Sequence, residues 1–267
     1  MTDFKNTPKL SESTEPAISY STCYQQCFCS DNMDLMKTIE SNTIDLIYCD
    51  ILYGTGRKFK DYQDLKPNRI EIENHYIPRL KEMHRILKPT GSIYLQMDWR
   101  INHWIRCLLD DIFGYEQFRN EIIWCYGAGD VNAKNRFCRV SDHILFYAKT
   151  EKNKFNIQKD EKDAKVKDWW RMFSFGEKTF NKKWFAENEV EFIYATQKTK
   201  EIIKRIVLAS SNEGDLVADF YSGSFTTAEV CKDLKRNFIG CDINPNCLEK
   251  AKERGLFSFT DLPTNVD

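Results

Sequence analysis

Two short stretches hold the residue types that chemistry requires. Asp50 closes the apolar run Asp45-Leu-Ile-Tyr-Cys-Asp50, and Tyr53, Gly54 and Gly56 follow it. Open α/β sheets bind their ligands beyond the carboxyl ends of strands, so a carboxylate and an aromatic ring placed there face a crevice. The competing reading is an aspartate that caps a turn with the tyrosine packed beneath it. The second stretch, Asp219-Phe-Tyr-Ser-Gly-Ser224, separates an apolar run from a helical pattern, and the next apolar run ends at Asp242. Gly223 would let a ligand approach the backbone, the helix start offers free N–H groups, and Asp242 can accept ribose hydroxyls. The spacing from Gly223 to Asp242 suits a nucleoside-containing ligand. Only one glycine is present, so this is not a G-x-G-x-x-G loop, and alone such a turn also serves merely to join strand to helix.

The elements that must position these residues alternate strand and helix, the signature of a sheet covered on both faces. Residues 45–50 read as a buried strand. A helix over 73–87 aligns Tyr76, Ile77, Leu80, His84 and Leu87, and Pro89-Thr-Gly91 stops it. Ser92–Met97 is the next strand, followed by a helix over 102–112 that Gly114 ends. Strands at 120–126 and 143–149 flank a polar loop from Gly127 to Asp142. An amphipathic helix over 196–211 puts Ile202, Ile203, Ile206 and Val207 on one stripe. A strand (215–221), a helix (224–235), a strand (237–242) and a helix (245–254) complete a β-α-β unit. Residues 1–19 and 258–267 read as tails and 150–190 as a Lys-rich, aromatic insert. The insert divides one domain into halves at 20–149 and 191–257.

Of 267 residues 42% are hydrophobic and 13% aromatic, enough to bury a sizeable core and to exclude disorder, coiled coil and collagen. No stretch approaches the roughly 18 apolar residues that span a bilayer, and the first residues lack the apolar core of a signal peptide. The expectation is a cytoplasmic protein without a membrane partner. The ten cysteines show neither C-x-x-C nor a nearby histidine pair, so they read as small buried hydrophobes, with no metal site. The net charge of -1 conceals an asymmetry: residues 134–183 carry 14 Lys+Arg against 7 Asp+Glu, interleaved with Trp169, Trp170, Phe173, Phe175 and Phe180. Such a segment can grip a phosphate backbone, or form a solvated loop with a few buried aromatics.

Taken together and in this order, the motifs resemble the β-class amino methyltransferases of DNA, in which the catalytic motif D-P-P-Y precedes the cofactor motif D-P-F-x-G-S-G-T-T. The matching residues are Asp50-Ile-Leu-Tyr53, Tyr194-Ala-Thr-Gln-Lys198 and Asp219-Phe-Tyr-Ser-Gly-Ser-Phe-Thr-Thr227. Cys29-Ser-Asp31, Arg119–Gly127, Asp142–Tyr147 and Phe238–Pro245 add to the likeness, which runs from about residue 20 to 255. The resemblance implies an α/β, Rossmann-like methyltransferase fold with a mixed, mostly parallel sheet, helices on both faces and an inserted target-recognition segment. It implies S-adenosylmethionine as cofactor and double-stranded DNA as partner, and it allows a homodimer and a cognate restriction endonuclease.

Carried over residue by residue, the resemblance makes Asp50, the backbone carbonyl of Ile51 and the ring of Tyr53 the catalytic set. Asp31, Thr196, Lys198, Asp219, Tyr221, Gly223, Ser224, Thr226 and Asp242 would hold the cofactor. Candidates for DNA contact are Arg57, Lys58, Lys134, Arg136 and Arg139, with Asp98, Trp99, Arg100 and His103 as further candidates of equally structural character. The chain departs from the pattern at Ile51 and Leu52, where the family has two prolines that stiffen the loop. Ala195 replaces another proline, and Phe225 replaces the second glycine of the cofactor turn. That ring either packs under the loop or crowds the cofactor. The motif aspartate favours adenine N6 as target in a restriction-modification setting. Cytosine-N4 methylation, a catalytically weakened DNA-binding relative, and a methyltransferase of RNA or a small molecule are the alternatives.

Overall fold

The computed structural model describes residues 24–58, 62–125, 133–171 and 199–259. Among the described residues, nine strands form one sheet in the order β6-β4-β5-β3-β2-β7-β8-β1-β9. They are β1 (Gln25–Cys29), β2 (Ile44–Asp50), β3 (Leu87–Met97), β4 (Phe118–Cys125), β5 (Ser141–Ala148), β6 (Trp169–Arg171), β7 (Leu216–Asp219), β8 (Asn237–Asp242) and β9 (Phe257–Phe259). Every neighbouring pair is parallel except β3 with β5 and β4 with β5, so β5 alone is reversed. The α-helices among the described residues are α1 (Asn32–Thr38), α2 (Arg69–Ile86), α3 (Asn102–Phe113), α4 (Lys200–Ser210), α5 (Thr226–Asp233) and α6 (Cys247–Glu253). One apolar cluster joins α1, α2 and α3 to one face through Leu35, Leu80 and Ile105, and a second joins α4, α5 and α6 to the other through Ile206, Ala228 and Ala251. The mixed, mostly parallel α/β sheet covered on both faces is the expected one.

The central strands carry apolar residues on both faces, as burial from two sides demands, and β2 has its whole length inside except Asp50 at its exit. Helix α2 begins four residues before the expected start. Asn68 is its N-cap, its side chain accepting from the N–H groups of Ile70 at 3.0 Å and Glu71 at 3.3 Å. Pro89-Thr-Gly91 does not form a separate turn. Strand β3 starts at Leu87, and those residues bulge out between the Ile44–Leu87 and Leu46–Ser92 pairs. Gly91 is needed there, because a Cβ would lie 2.9 Å from the Asp45 carbonyl oxygen.

The described part of the basic insert packs on the same core. Asn156 N donates to the Ala209 carbonyl at 2.6 Å, Ile123 N donates to the Asp168 carbonyl at 2.8 Å, and β6 extends the sheet beside β4. Trp170 is buried in the second cluster, whereas Trp169 is exposed. Residues 258 and 259, expected in the tail, belong to β9. Cys27, Cys49, Cys231, Cys241 and Cys247 are buried as expected, but Cys107 and Cys138 are exposed. Among the described residues no helix is long and apolar enough to cross a membrane. The N-terminal tail, residues 260–267, Thr196, Lys198, Ala195, Phe173, Phe175 and Phe180 lie outside the described residues.

Candidate active site

Beyond the carboxyl ends of β2, β7, β8 and β1 lies one cavity of about 690 Å3, within the range of small-ligand sites. Its walls include Asp50, Ile51 and Tyr53 from the first motif, and Asp31, Asp219, Tyr221, Gly223, Ser224, Thr226 and Asp242 from the others. The structure thus brings together all the expected catalytic and cofactor residues that it describes, although Asp50 and Asp242 are 192 positions apart in the chain.

The turn after β7 is held by two carboxylates. Asp219, buried at the end of β7, accepts from Thr227 Oγ1 at 2.6 Å and Tyr221 N at 3.0 Å. Burial pushes its carboxyl up to about 7, against the lowering pull of those two donors. Asp242 accepts from Gly223 N at 2.8 Å and Asn244 N at 2.9 Å. Gly223 has φ +52°, and a Cβ built on it meets nothing within 4 Å, so the turn leaves open space at the cavity wall. Ser224 and Thr226 sit at the start of α5, which has no side-chain cap. Phe225 takes the left-handed conformation (φ 57°, ψ 34°) that explains a glycine preference at this position, yet its ring is fully buried against Phe238, away from the cavity. Of the two expectations for Phe225, packing beneath the loop is the observed one.

Asp31 caps α1, accepting from Met33 N at 2.8 Å, and pairs with Arg79 at 3.3 Å. Arg79 also donates to Asn32 Oδ1 at 2.8 Å, and Asn32 donates to the Phe220 carbonyl at 3.2 Å. One turn earlier on α2, His75 meets the Tyr221 hydroxyl at 3.0 Å; burial and the neighbouring Arg79 push its pKa down to about 4, so it is neutral near pH 7. His75 and Arg79 were missed from sequence. The signal for them is an i, i+4 polar pair on a helix whose adjoining face is apolar.

Tyr53 Oη lies 2.9 Å from Asp50 Oδ1 and 2.8 Å from Asp142 Oδ2. Burial and the two carboxylates hold its hydroxyl well above the usual phenol range. Asp142, buried near the start of β5, entered the sequence reading only within a matched stretch and not as a site residue. The loop that lacks the two prolines is fixed by other means. Asp64 accepts from Gly54 N at 3.1 Å, Thr55 N at 2.7 Å and Leu65 N at 2.8 Å, and Tyr76 donates to the Leu52 carbonyl at 2.9 Å. Ile51 N donates to the Gln96 carbonyl at 3.1 Å.

Of the expected DNA contacts, Arg57 and Lys58 are exposed just past Thr55, which lines the cavity. Lys134 and Arg136 are exposed on the stretch leading to Asp142, beside Phe137, which is 96% exposed. Arg139 stacks on Trp99 at 3.5 Å, and Asp98 pairs with Arg100. His103 follows at the start of α3.

A family model described as DNA methylase matches residues 44–253. The chain is 33% identical over 238 residues to the type II methyltransferase M.HpaI of Haemophilus parainfluenzae, covering 86% of this chain and 74% of that one. It is 28% identical over 239 residues to the DNA adenine methyltransferase YhdJ of Escherichia coli K12, covering 84% and 80%. Among solved structures, the cytosine-N4-specific PvuII DNA methyltransferase superposes with a TM-score of 0.69 at 18% identity, over 92% of this chain and 89% of that one. The M1.HpyAVI complex with S-adenosylmethionine gives a TM-score of 0.61 at 19% identity, over 87% and 99%.

Proposed function

The chain belongs to this DNA methylase family of N6/N4 amino methyltransferases, and we propose that it is a site-specific DNA adenine-N6 methyltransferase of restriction-modification type. Its cofactor is S-adenosylmethionine. The observation that carries the proposal is the single cavity in which Asp50 and Tyr53 face the Asp219–Thr227 turn and Asp242. The lining suits the cofactor: the Asp242 carboxylate, of the chemistry that accepts from a ribose diol, lines the cavity, and the space at Gly223 admits a ligand against the backbone. Thr196 and Lys198 are proposed to approach the methionine carboxylate. When bound, S-adenosylmethionine supplies an electrophilic methyl group on a sulfonium.

The chain's own residues prepare the acceptor. An exocyclic amino nitrogen is a poor nucleophile because its lone pair is delocalised into the base. The Asp50 carboxylate and the Ile51 carbonyl would each accept one amino hydrogen, favouring a pyramidal nitrogen with a localised lone pair. The amino group is unreachable within a stacked duplex, so the base must swing out, and Tyr53 offers its ring for stacking. The same ring face favours the positive charge that develops on nitrogen. Holding donor and acceptor in line contributes much of the remaining acceleration. Asp50 in place of the serine common in cytosine-N4 enzymes supports adenine as the target. Residues 150–190 are proposed as the target-recognition segment, with Arg57, Lys58, Lys134, Arg136 and Arg139 toward the duplex.

The test is incubation of the protein with tritiated S-adenosylmethionine and unmethylated genomic DNA. Label in N6-methyladenine supports the proposal; label in N4-methylcytosine transfers the reading to cytosine, and cofactor binding without transfer to a regulatory relative. Asp50→Ala should reduce transfer by at least about 100-fold while the cofactor still binds, in line with the loss of a group essential to the transition state. Retained activity would remove Asp50 from the catalytic set.

A further inference from the structure

A second cavity, of about 460 Å3, opens on the face of the sheet that carries α4. Its volume is within the range of small-ligand sites, and it shares no lining residue with the cavity that holds Asp50 and Asp242. Three rings form a column in its wall. Tyr94 of β3 and Phe146 of β5 stack at 4.2 Å and 11°, and Phe155 continues the stack at 5.9 Å and 22°. Tyr94 and Phe146 are buried, whereas Phe155 at the end of the column is 51% exposed. Trp170 also lines the cavity, with the Arg205 guanidinium 5.0 Å from its ring centroid.

The charges around these rings are uneven. Lys165, Lys167 and Arg205 line the cavity against one carboxylate, Asp168. Among the described residues none of the three cations forms an ion pair with a carboxylate. Burial lowers the Arg205 pKa, and a partly desolvated cation attracts an anion more strongly than one on open surface. We propose that this cavity binds one free nucleoside monophosphate, its base stacked on Phe155 and its phosphate held by Lys165, Lys167 and Arg205. An aromatic platform bordered by cations is a general means of holding a base together with its phosphate. A free phosphomonoester carries about -1.5 to -2 near pH 7, which matches three cations and one carboxylate better than the single charge of an internucleotide linkage does. The cavity lies apart from the proposed transfer site, so its occupancy does not depend on the methyltransferase reading.

The test is calorimetric titration of the full chain with AMP, adenosine and inorganic phosphate, with saturating S-adenosylhomocysteine present to fill the first cavity. AMP should bind one per chain. Adenosine and phosphate should each bind at least about tenfold more weakly, because each supplies only one half of the contact. Phe155→Ala and Arg205→Met should each weaken AMP about tenfold, while S-adenosylhomocysteine affinity stays within about threefold. If Arg205→Met fails to fold, the Lys165→Gln/Lys167→Gln pair, two changes at exposed positions, decides by the same criterion. No saturable binding of AMP, adenosine as tight as AMP, or variants as tight as wild type would overturn the inference. Release of AMP by S-adenosylhomocysteine would also overturn it, by placing the nucleotide in the first cavity. So would displacement of AMP by a short single-stranded oligonucleotide, which would make the ligand part of a chain. A protein that fails to bind S-adenosylhomocysteine would count against the cofactor assignment instead, and the Phe155 and Arg205 variants would still locate AMP.

Discussion

Replacing Phe225 by glycine sets two opposing effects against each other, and both can be sized from the structure. A non-glycine residue in the left-handed region costs roughly 1 to 2 kcal/mol, which glycine would recover. The ring is fully buried and packs edge-on to Phe238 at 6.4 Å, and deleting a buried phenyl group costs about 3 to 5 kcal/mol. The net result is a loss of about 1 to 4 kcal/mol, which in a chain of this size lowers Tm by roughly 2 to 16 °C. Phe225→Ala loses the ring but keeps the unfavourable backbone, so it should fall about 1 kcal/mol below Phe225→Gly. Because the ring is not part of the cavity wall, S-adenosylmethionine affinity should stay within about threefold, measured by calorimetric titration well below the transition. The stability order Phe, Gly, Ala is read from urea unfolding. An alanine variant more stable than the glycine variant would refute the backbone argument. A folded glycine variant that binds the cofactor ten times more weakly would show that the ring shapes the pocket.

Asp219 has its carboxyl pushed up to about 7 from an ordinary 3.8, so the folded chain retains a proton that the unfolded chain gives up. Stability from this group therefore falls as pH rises between about 4 and 7 and levels off above, by about 2 to 3 kcal/mol from pH 5 to pH 8; urea midpoints of Asp219→Asn should show a flatter slope than wild type, and parallel slopes would contradict the assignment. Asp64→Ala leaves the N–H groups of Gly54, Thr55 and Leu65 without their acceptor and should cost at least about 2 kcal/mol. It should also lower kcat with little change in cofactor affinity, and an unchanged kcat would mean that Asp64 does not order the catalytic loop. Lys134→Ala should weaken DNA binding on cognate and unrelated sequences alike and reduce the slope of log affinity against log salt by about one. A loss confined to the cognate sequence would instead make Lys134 a base reader.

What the sequence disclosed, it disclosed through local pattern. The run Asp45–Asp50 is apolar because β2 is buried on both faces, and the stripe Ile202, Ile203, Ile206 and Val207 is the face that α4 lays on the sheet. The first turn of α2 escaped because Arg69–Glu73 are mostly charged, and the decisive signal was the Asn68 cap before them. Strand β6 is three residues long in a segment without period; only its pairing with β4, more than 40 positions upstream, makes it a strand. The site divides the same way. Asp50, Tyr53, Asp219 and Asp242 mark strand ends or turns and were legible. Asp64 and Asp142 act through contacts that no spacing rule encodes, and Arg79 reads as one more charge on a helix until α2 is docked beside α1.

The reversal of β5 decides which of the flanking basic residues lie at the cavity end of the sheet. Because β5 runs against β2 and β3, its first residues, and not its last, lie at the carboxyl ends of those strands. The stretch carrying Lys134, Arg136 and Arg139 is thereby delivered on the approach to Asp142 and Tyr53. A parallel strand would have brought Ala148 and Lys149 there instead. At the opposite end of the sheet Lys149 donates to the Leu87 carbonyl at 2.6 Å, and Lys154 pairs with Asp45 and Asp215. The described basic residues on either side of β5 are thus separated by strand direction. Lys149 and Lys154 meet a carbonyl and carboxylates at one end of the sheet, whereas Lys134 and Arg136 stand exposed on the stretch that leads to Asp142 at the other.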